Sequence, residues 1–484
     1  MTDRLLVAVT KDGALRARAA STSGLIREGL IRHLAGPGSA LALARALSTI
    51  AVYPMEWKHN ERVTVQWQGQ GDLKTILAVF WIALYIFVNL TSVLYLGATA
   101  LDTIMGDGDG SIMIPCIIGL ALFAAAYSLW GGLAAVAWTD VVQVVVLVIG
   151  GLVTTFIALS HVAPDGSIMT GFKTILDAVP EKFSMILEKG EIITPNGKDA
   201  WFDLPGLAVL LGGMWVANLY YWGFNQYIIQ RALAAKSTRE AQKGIMFAAF
   251  LKMIMPLIIV LPGVAAAILA PDLEAPDRAY PTVMNLLPSG ILGLVFAALI
   301  AAIVSSLASM MNSISTIFTM DLYRNFKPGE ESEGELVRTG RVVSFTAIVI
   351  AMIVAKPLLG NFSQAFQYIQ EFTGFFTPGV CALFLLGFFW PKTTSVGALL
   401  TALGSAVFSI TFKLAWPELP FIDRVGIVFL MCIAVGVIVS AIQGAEDHPD
   451  AIDYKEVDTR TSGGFNLAAL VVILMLTGLY ATWW

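Results

Sequence analysis

Between residues 60 and 90 the pattern of apolar and polar positions changes character without an intervening linker. Val63, Val65 and Trp67 alternate with Thr64, Gln66 and Gln68, the period-2 signature of a half-buried strand. From Leu73 onward the alternation gives way to continuous apolar runs of about 20 residues, the length at which a helix crosses a bilayer. These recur to the carboxy terminus and predict eleven transmembrane helices, over 73–104, 112–130, 139–162, 205–224, 245–270, 289–323, 339–358, 363–390, 394–414, 424–444 and 464–484. Backbone in hydrocarbon must satisfy its own hydrogen bonds, so the choice is helices or a closed barrel. Continuous runs exclude the alternating barrel pattern. The prediction is an all-α polytopic membrane protein over 73–484, preceded by a small soluble α+β fragment over 1–72. In that fragment Leu25, Ile26, Leu30, Ile31 and Leu34 share a helical face behind a cap at Ser21, Thr22 or Ser23. A second helix is expected over 39–52 and a strand over 63–68.

Loop charge sets the orientation. Arg231, Lys236, Arg239 and Lys243 lie in one loop, and Arg324, Lys327, Arg338 and Arg341 in another two spans later. Cytoplasmic loops carry the excess of Lys and Arg, which puts both inside, loops 163–204 and 271–288 outside, residues 1–72 in the cytoplasm and Trp484 outside.

Composition agrees: of 484 residues 57% are hydrophobic and only 13% charged, against about 25% charged in soluble proteins. The net charge of −5 is divided among loops and says little. Cys116, Cys381 and Cys432 each sit in an apolar run with no C-x-x-C spacing, so they read as packing residues. The first residues, MTDRLLVAVTKDG, lack the apolar core of a signal peptide. No nucleophile–base pair, metal cluster or phosphate loop is evident, so the chain reads as a non-enzyme, with a lipid bilayer and no nucleic acid among its partners.

Polar groups at bilayer depth are the functional candidates, because a buried charge costs roughly 2.5–3.5 kcal/mol there even on a lenient scale. Asn218, Tyr221, Trp222 and Asn225 follow helical spacing. Such a face suits a sugar, with amides for hydroxyls and a ring for the C–H face, and equally suits interhelical bonding with an interfacial aromatic belt. Lys252 is expected about eight residues into its span, roughly 12 Å deep, where snorkelling competes with a role as a cavity donor, and Pro256 follows one turn later. Ala302, Ser305 and Ser306 place a carbonyl and two hydroxyls on one face, neutral oxygens of the kind sodium takes, although small residues with serine more often serve close helix packing. Gln367, Gln370 and Glu371 fall in the eighth span, Phe366 one turn from Gln370. Gly131 and Gly132 permit a tight break between the second and third spans, and Thr139 and Asp140 suit the following helix cap.

Together "YSLWGGLAAVAWTDVVQ", "WVANLYYWGFNQYIIQR", "AAIVSSLASMMNS" and "AFQYIQEFTG" resemble the sodium/solute symporter family, and within it the bacterial sodium/sugar branch that carries glucose or galactose. The resemblance covers about Leu73 to Trp484. It implies an inverted-repeat fold in the bacterial plasma membrane, with sodium as the coupling ion and alternating access. On the family's pattern Asn218, Lys252 and Gln370 would bind the sugar, Tyr221 would form the inner aromatic gate and Phe366 part of the outer one. Ala302, Ser305 and Ser306 would bind sodium, and Asp140 would lie on the cytoplasmic ion path. Against the same pattern the chain enters at the third repeat helix. The resemblance therefore implies a repeat lacking its first two helices, an incomplete sodium site and impaired transport. Residues 1–72 resemble the start of the redox-regulated heat-shock chaperone, which implies a fusion near Gly71–Leu73. Two rivals stand beside the symporter: a non-transporting remnant or membrane-anchored interaction protein, and the same fold carrying another small solute.

Overall fold

The computed structural model describes residues 4–9, 16–21 and 72–444, with gaps at 194–196, 198, 234, 236, 274, 327–331 and 361–364, and then 446–447 and 461–484. Strands β1 (Arg4–Val9) and β2 (Arg16–Ser21) pair antiparallel, Arg4 opposite Ser21. They were not singled out by the sequence pattern. The helices expected in 21–52 and the strand expected over 63–68 lie outside the described residues.

Each of the eleven predicted spans has a helical counterpart, but they are not equivalent. Among the described residues eight helices are long and apolar enough to cross a bilayer, from Ala78–Met105 to Gly463–Thr482. A ninth is a pair, Ala200–Leu211 and Gly213–Phe224, bent by 78° at Gly212. Met113–Ser128 and Thr377–Phe389 are shorter apolar helices. The predicted span over 363–390 is broken, into α1 (Ala365–Gly374) and α2 (Thr377–Phe389), the second beginning with Pro378 in its first turn.

Met113–Val162 is helical over 50 residues, yet it cannot be one straight rod. Tyr127 and Thr139 hydrogen bond side chain to side chain, although twelve residues of straight helix would separate them by about 18 Å. The neighbouring helix gives the same answer. Ser128 lies against Asn312, Asp140 against Ser305 and Gly150 against Val295, while Gly97 brings Leu120 to Ile303. The chain therefore climbs from the level of 303 to that of 312 and returns. The turn encloses Gly131–Gly132, where a break was expected, because paired glycines lower the cost of bending a helix.

Helix starts follow local capping chemistry. Ser237, Ser332, Thr394 and Ser462 each accept, through the side-chain oxygen, the amide of the residue three positions on, at 3.1–3.3 Å. This satisfies one of the donors that every helix leaves open. Among the described residues four π-helical stretches interrupt the spans: Tyr85–Leu90, Tyr220–Phe224, Pro256–Val260 and Phe318–Tyr323. The third begins at Pro256, whose ring and missing N–H disturb the regular ladder; Thr155 donates to the Leu257 carbonyl there, at 2.5 Å.

The main core joins residues 78–125, the middle of Ser289–Ile317 and the buried face of Glu333–Leu359, around Tyr85, Leu90, Leu94, Leu307, Met311 and Ile348. One end of the bundle gathers residues 106–112, 163–204, 271–288, 416–420 and the carboxy terminus. Arg278 reaches Asp102, the Met185 amide bonds the Trp483 carbonyl at 2.8 Å, and Phe202 meets Pro417 across a cavity. Loops 163–204 and 271–288 and the carboxy terminus were expected on one side of the membrane.

Candidate functional site

The fourth predicted span ends in a short helix, Gly213–Leu219, that widens into the π stretch Tyr220–Phe224 and stops at the extended Asn225. Asn218, Tyr221 and Trp222 are exposed. The Asn218 amide nitrogen donates to the Met214 carbonyl at 3.0 Å, and the Tyr221 hydroxyl lies 2.9 Å from that of Tyr227. Asn225 departs from the expected face. It is 1% exposed and accepts from the Tyr85 hydroxyl at 2.8 Å. The wider π turn shifts the helical phase before the chain unwinds, so helical spacing carried through residue 225 assigns the wrong side.

Lys252 lies fourteen residues into Thr238–Met255, whose first two turns carry Arg239, Glu240 and Lys243. Its ammonium stands 4.3 Å from the Trp222 ring centroid, a cation–π contact worth about 0.5–2 kcal/mol. The structure thus brings Lys252 to the Asn218–Trp222 stretch. Gln370 is half-buried on α1. That helix packs against Tyr85–Leu90, Thr91–Met105 and Phe421–Ile442 rather than against the segment carrying Asn218. The side chains of Phe366 and Gln367 fall outside the described ones.

The oxygen cluster is better joined than its spacing alone indicated. Ser305 is buried, with Ala302 and Ser306 half-buried on the same helix face, near the middle of the span Ser289–Tyr323. The Ser305 hydroxyl donates to the Asp140 carboxylate. Asp140 was expected to cap a helix; because the helix continues through it, its carboxylate turns to the neighbouring span instead. A serine hydroxyl that gives its proton to a carboxylate keeps both lone pairs for a cation.

Glu371, whose partner the sequence left open, accepts through Oε1 from Lys413 at 2.7 Å and Arg424 at 3.3 Å. Both cations also lie over the Phe375 ring, 5.6 and 5.1 Å from its centroid. One charged pair was missed. Asp102, fully buried, bonds Arg278 at 3.0 Å and the amides of Gly110 and Ile112. The signal was present, as an aspartate inside the first predicted span.

The sodium:solute symporter family profile matches residues 43–404, beginning upstream of the expected boundary at 72. A sodium/glucose cotransporter of Vibrio parahaemolyticus is 48% identical over 430 residues, covering 85% of this chain and 77% of that protein. Human sodium/myo-inositol cotransporter 2 is 35% identical over 364 residues, 68% of this chain; the chain spans 51% of that longer protein. Among solved structures, a Na+-coupled sialic acid symporter in a substrate-bound outward-open state has a TM-score of 0.61 at 22% identity, covering 78% of this chain and 75% of that one. At that identity the likeness speaks for the fold.

Proposed function

The chain belongs to the sodium:solute symporter family, and from that premise we propose that it couples sodium entry to uptake of a hexose of the glucose or galactose type. The observation that carries the reading is the junction of Ser305 with Asp140, beside Ala302 and Ser306. It gathers neutral oxygens near the middle of Ser289–Tyr323 next to a carboxylate, a donor set that suits sodium. Sodium would sit against the Ala302 carbonyl and the two serine hydroxyls, and Asp140 would hold the Ser305 proton away from it. Asn218, Lys252 and Gln370 supply hydroxyl-seeking groups, Tyr221 a ring face and Phe366 an outer closure. Inward sodium movement adds about 2.3 kcal/mol per charge per 100 mV of membrane potential. The Lys and Arg of 225–244 and 324–341 support a cytoplasmic placement of those loops, with the carboxy terminus outside.

The test is radiolabelled sugar uptake into proteoliposomes under an imposed sodium gradient, with glucose, galactose, myo-inositol and sialic acid as competitors. Sodium-dependent accumulation displaced by glucose or galactose supports the reading, and its size measures how complete the coupling site is. Displacement by myo-inositol alone would favour a cyclic polyol, since the same amides and ammonium recognise hydroxyls without a ring oxygen. No sodium dependence would refute the coupling.

A further inference from the structure

A cavity of about 380 Å³ opens beside Glu371, on the bundle end that carries loop 163–204. Its size lies within the range of small-molecule sites, about 300–1,000 Å³. Three features mark it as built for a ligand. Glu371 uses Oε1 for both Lys413 and Arg424, and no described hydrogen bond engages Oε2. Arg424, 4% exposed, lines the cavity and holds its guanidinium against Glu371. Phe202, Phe421, Pro417 and Pro420 give the remaining wall an apolar surface.

The charges narrow the ligand. Lys413 and Arg424 face Glu371, Glu418 and Asp203 around the cavity, so it favours neither a strong anion nor a strong cation. A carboxylate oxygen that accepts, cationic N–H groups that donate, and rings that cover C–H surface suit adjacent hydroxyls on a saturated ring. Glu371 directly follows Gln370 on α1, so the cavity and the proposed sugar contact share one helix.

We propose that this cavity is an outer staging site for a neutral, polyhydroxylated ring solute, hydrogen-bonded by Glu371, Lys413 and Arg424 and flanked by Phe202 and Phe421. The proposal rests on the sugar-transport reading and on the orientation given above. The staging site holds the solute weakly and without sodium, before it reaches the Asn218–Lys252 region.

The experiment is equilibrium binding of radiolabelled glucose and galactose to the full chain in nanodiscs, with and without sodium, alongside uptake kinetics. Two components are expected, and the sodium-independent one should weaken about 3–10-fold in Glu371→Gln, the loss of one hydrogen bond. Phe202→Ala, which leaves every ion pair intact, should weaken it too, so a folding defect in Glu371→Gln does not decide the matter. Asn218→Ala should spare this component and remove the other. If Phe202→Ala and a folded Glu371→Gln bind and transport like the parent, the staging site is refuted. If the parent shows only the Asn218-dependent component, the sugar reading stands and the staging site falls. If no sugar binds at all, both fall together.

Discussion

Truncating Asp102 to alanine removes the anion at the centre of a buried clamp. Its Oδ2 accepts from Arg278 and from the Gly110 amide, both at 3.0 Å, and its Oδ1 from the Ile112 amide at 3.3 Å. The Asp102 side chain is 0% exposed and that of Arg278 17%. At an effective dielectric of 20, opposite charges 3.0 Å apart attract by about 5.5 kcal/mol before desolvation is counted. What truncation measures is different: the guanidinium keeps Thr103, 3.2 Å away, but loses its counter-charge, which costs about 3–5 kcal/mol for a buried pair. Arg278 is near enough to water for partial rescue, so about 3 kcal/mol is expected. The double variant Asp102→Ala/Arg278→Ala should be less destabilised than the two single losses added, by about 1–3 kcal/mol, because no orphaned charge remains. Thermal unfolding of the purified protein, followed by loss of the monodisperse peak, reads all four corners of the cycle. Losses below about 1 kcal/mol, or additivity within about 0.5 kcal/mol, would refute the clamp.

Four further outcomes follow from the geometry. Ser305→Ala should raise the sodium concentration for half-maximal uptake about tenfold, the worth of one lost oxygen contact, with a smaller change in sugar KM; the sodium titration decides it. Lys252→Met should weaken sugar uptake more than Trp222→Leu does, since the ring only holds the ammonium 4.3 Å away, and the ratio of the two uptake constants checks this. Gly213→Ala should lower thermal stability by about 1–3 kcal/mol or more, because its Cβ would come within 1.9 Å of the Ile422 carbonyl oxygen. Asp165, in the loop after Val162, has its pKa lowered first by the Ser167 amide and then by the Thr170 hydroxyl. Its contribution is therefore complete above the ordinary carboxylate range and fades only as pH falls through the lower folded value. Asp165→Asn should leave the pH profile of uptake near neutrality unchanged.

Local patterns were legible in the sequence and distant pairings were not. The eleven apolar runs each correspond to helix because a bilayer span is a property of consecutive residues, and Gly131–Gly132 marked a real reversal. The 78° bend at Gly212 left no comparable sign, since one glycine inside an apolar run looks like ordinary close packing. Asn225 was misplaced because period 3.6 fails where the helix widens. Glu371 stood out as a carboxylate in a span, but its partners lie 42 and 53 positions away, beyond any periodicity. Asp140 and Ser305 were each singled out alone; only the fold, across 165 residues, makes them one feature.

The polar groups inside the bundle divide by how fully the chain satisfies them, and that division bears on transport. Asp102 and Asn225 meet partners at 2.8–3.3 Å supplied by other segments, which makes them scaffold. Among the described residues the Asn218 amide oxygen has no bond, Lys252 has a ring rather than an acceptor, and Glu371 Oε2 has no donor. A solute must compete with whatever a binding group already holds, so groups left open by the fold are the ones that cost least to recruit. The gain must also stay small enough for release. Three net hydrogen bonds at about 1 kcal/mol each, with one ring face adding about 1–2 kcal/mol, give a total near that of millimolar binding. A site that engaged its sugar with the closure seen around Asp102 would hold it too long to carry it across.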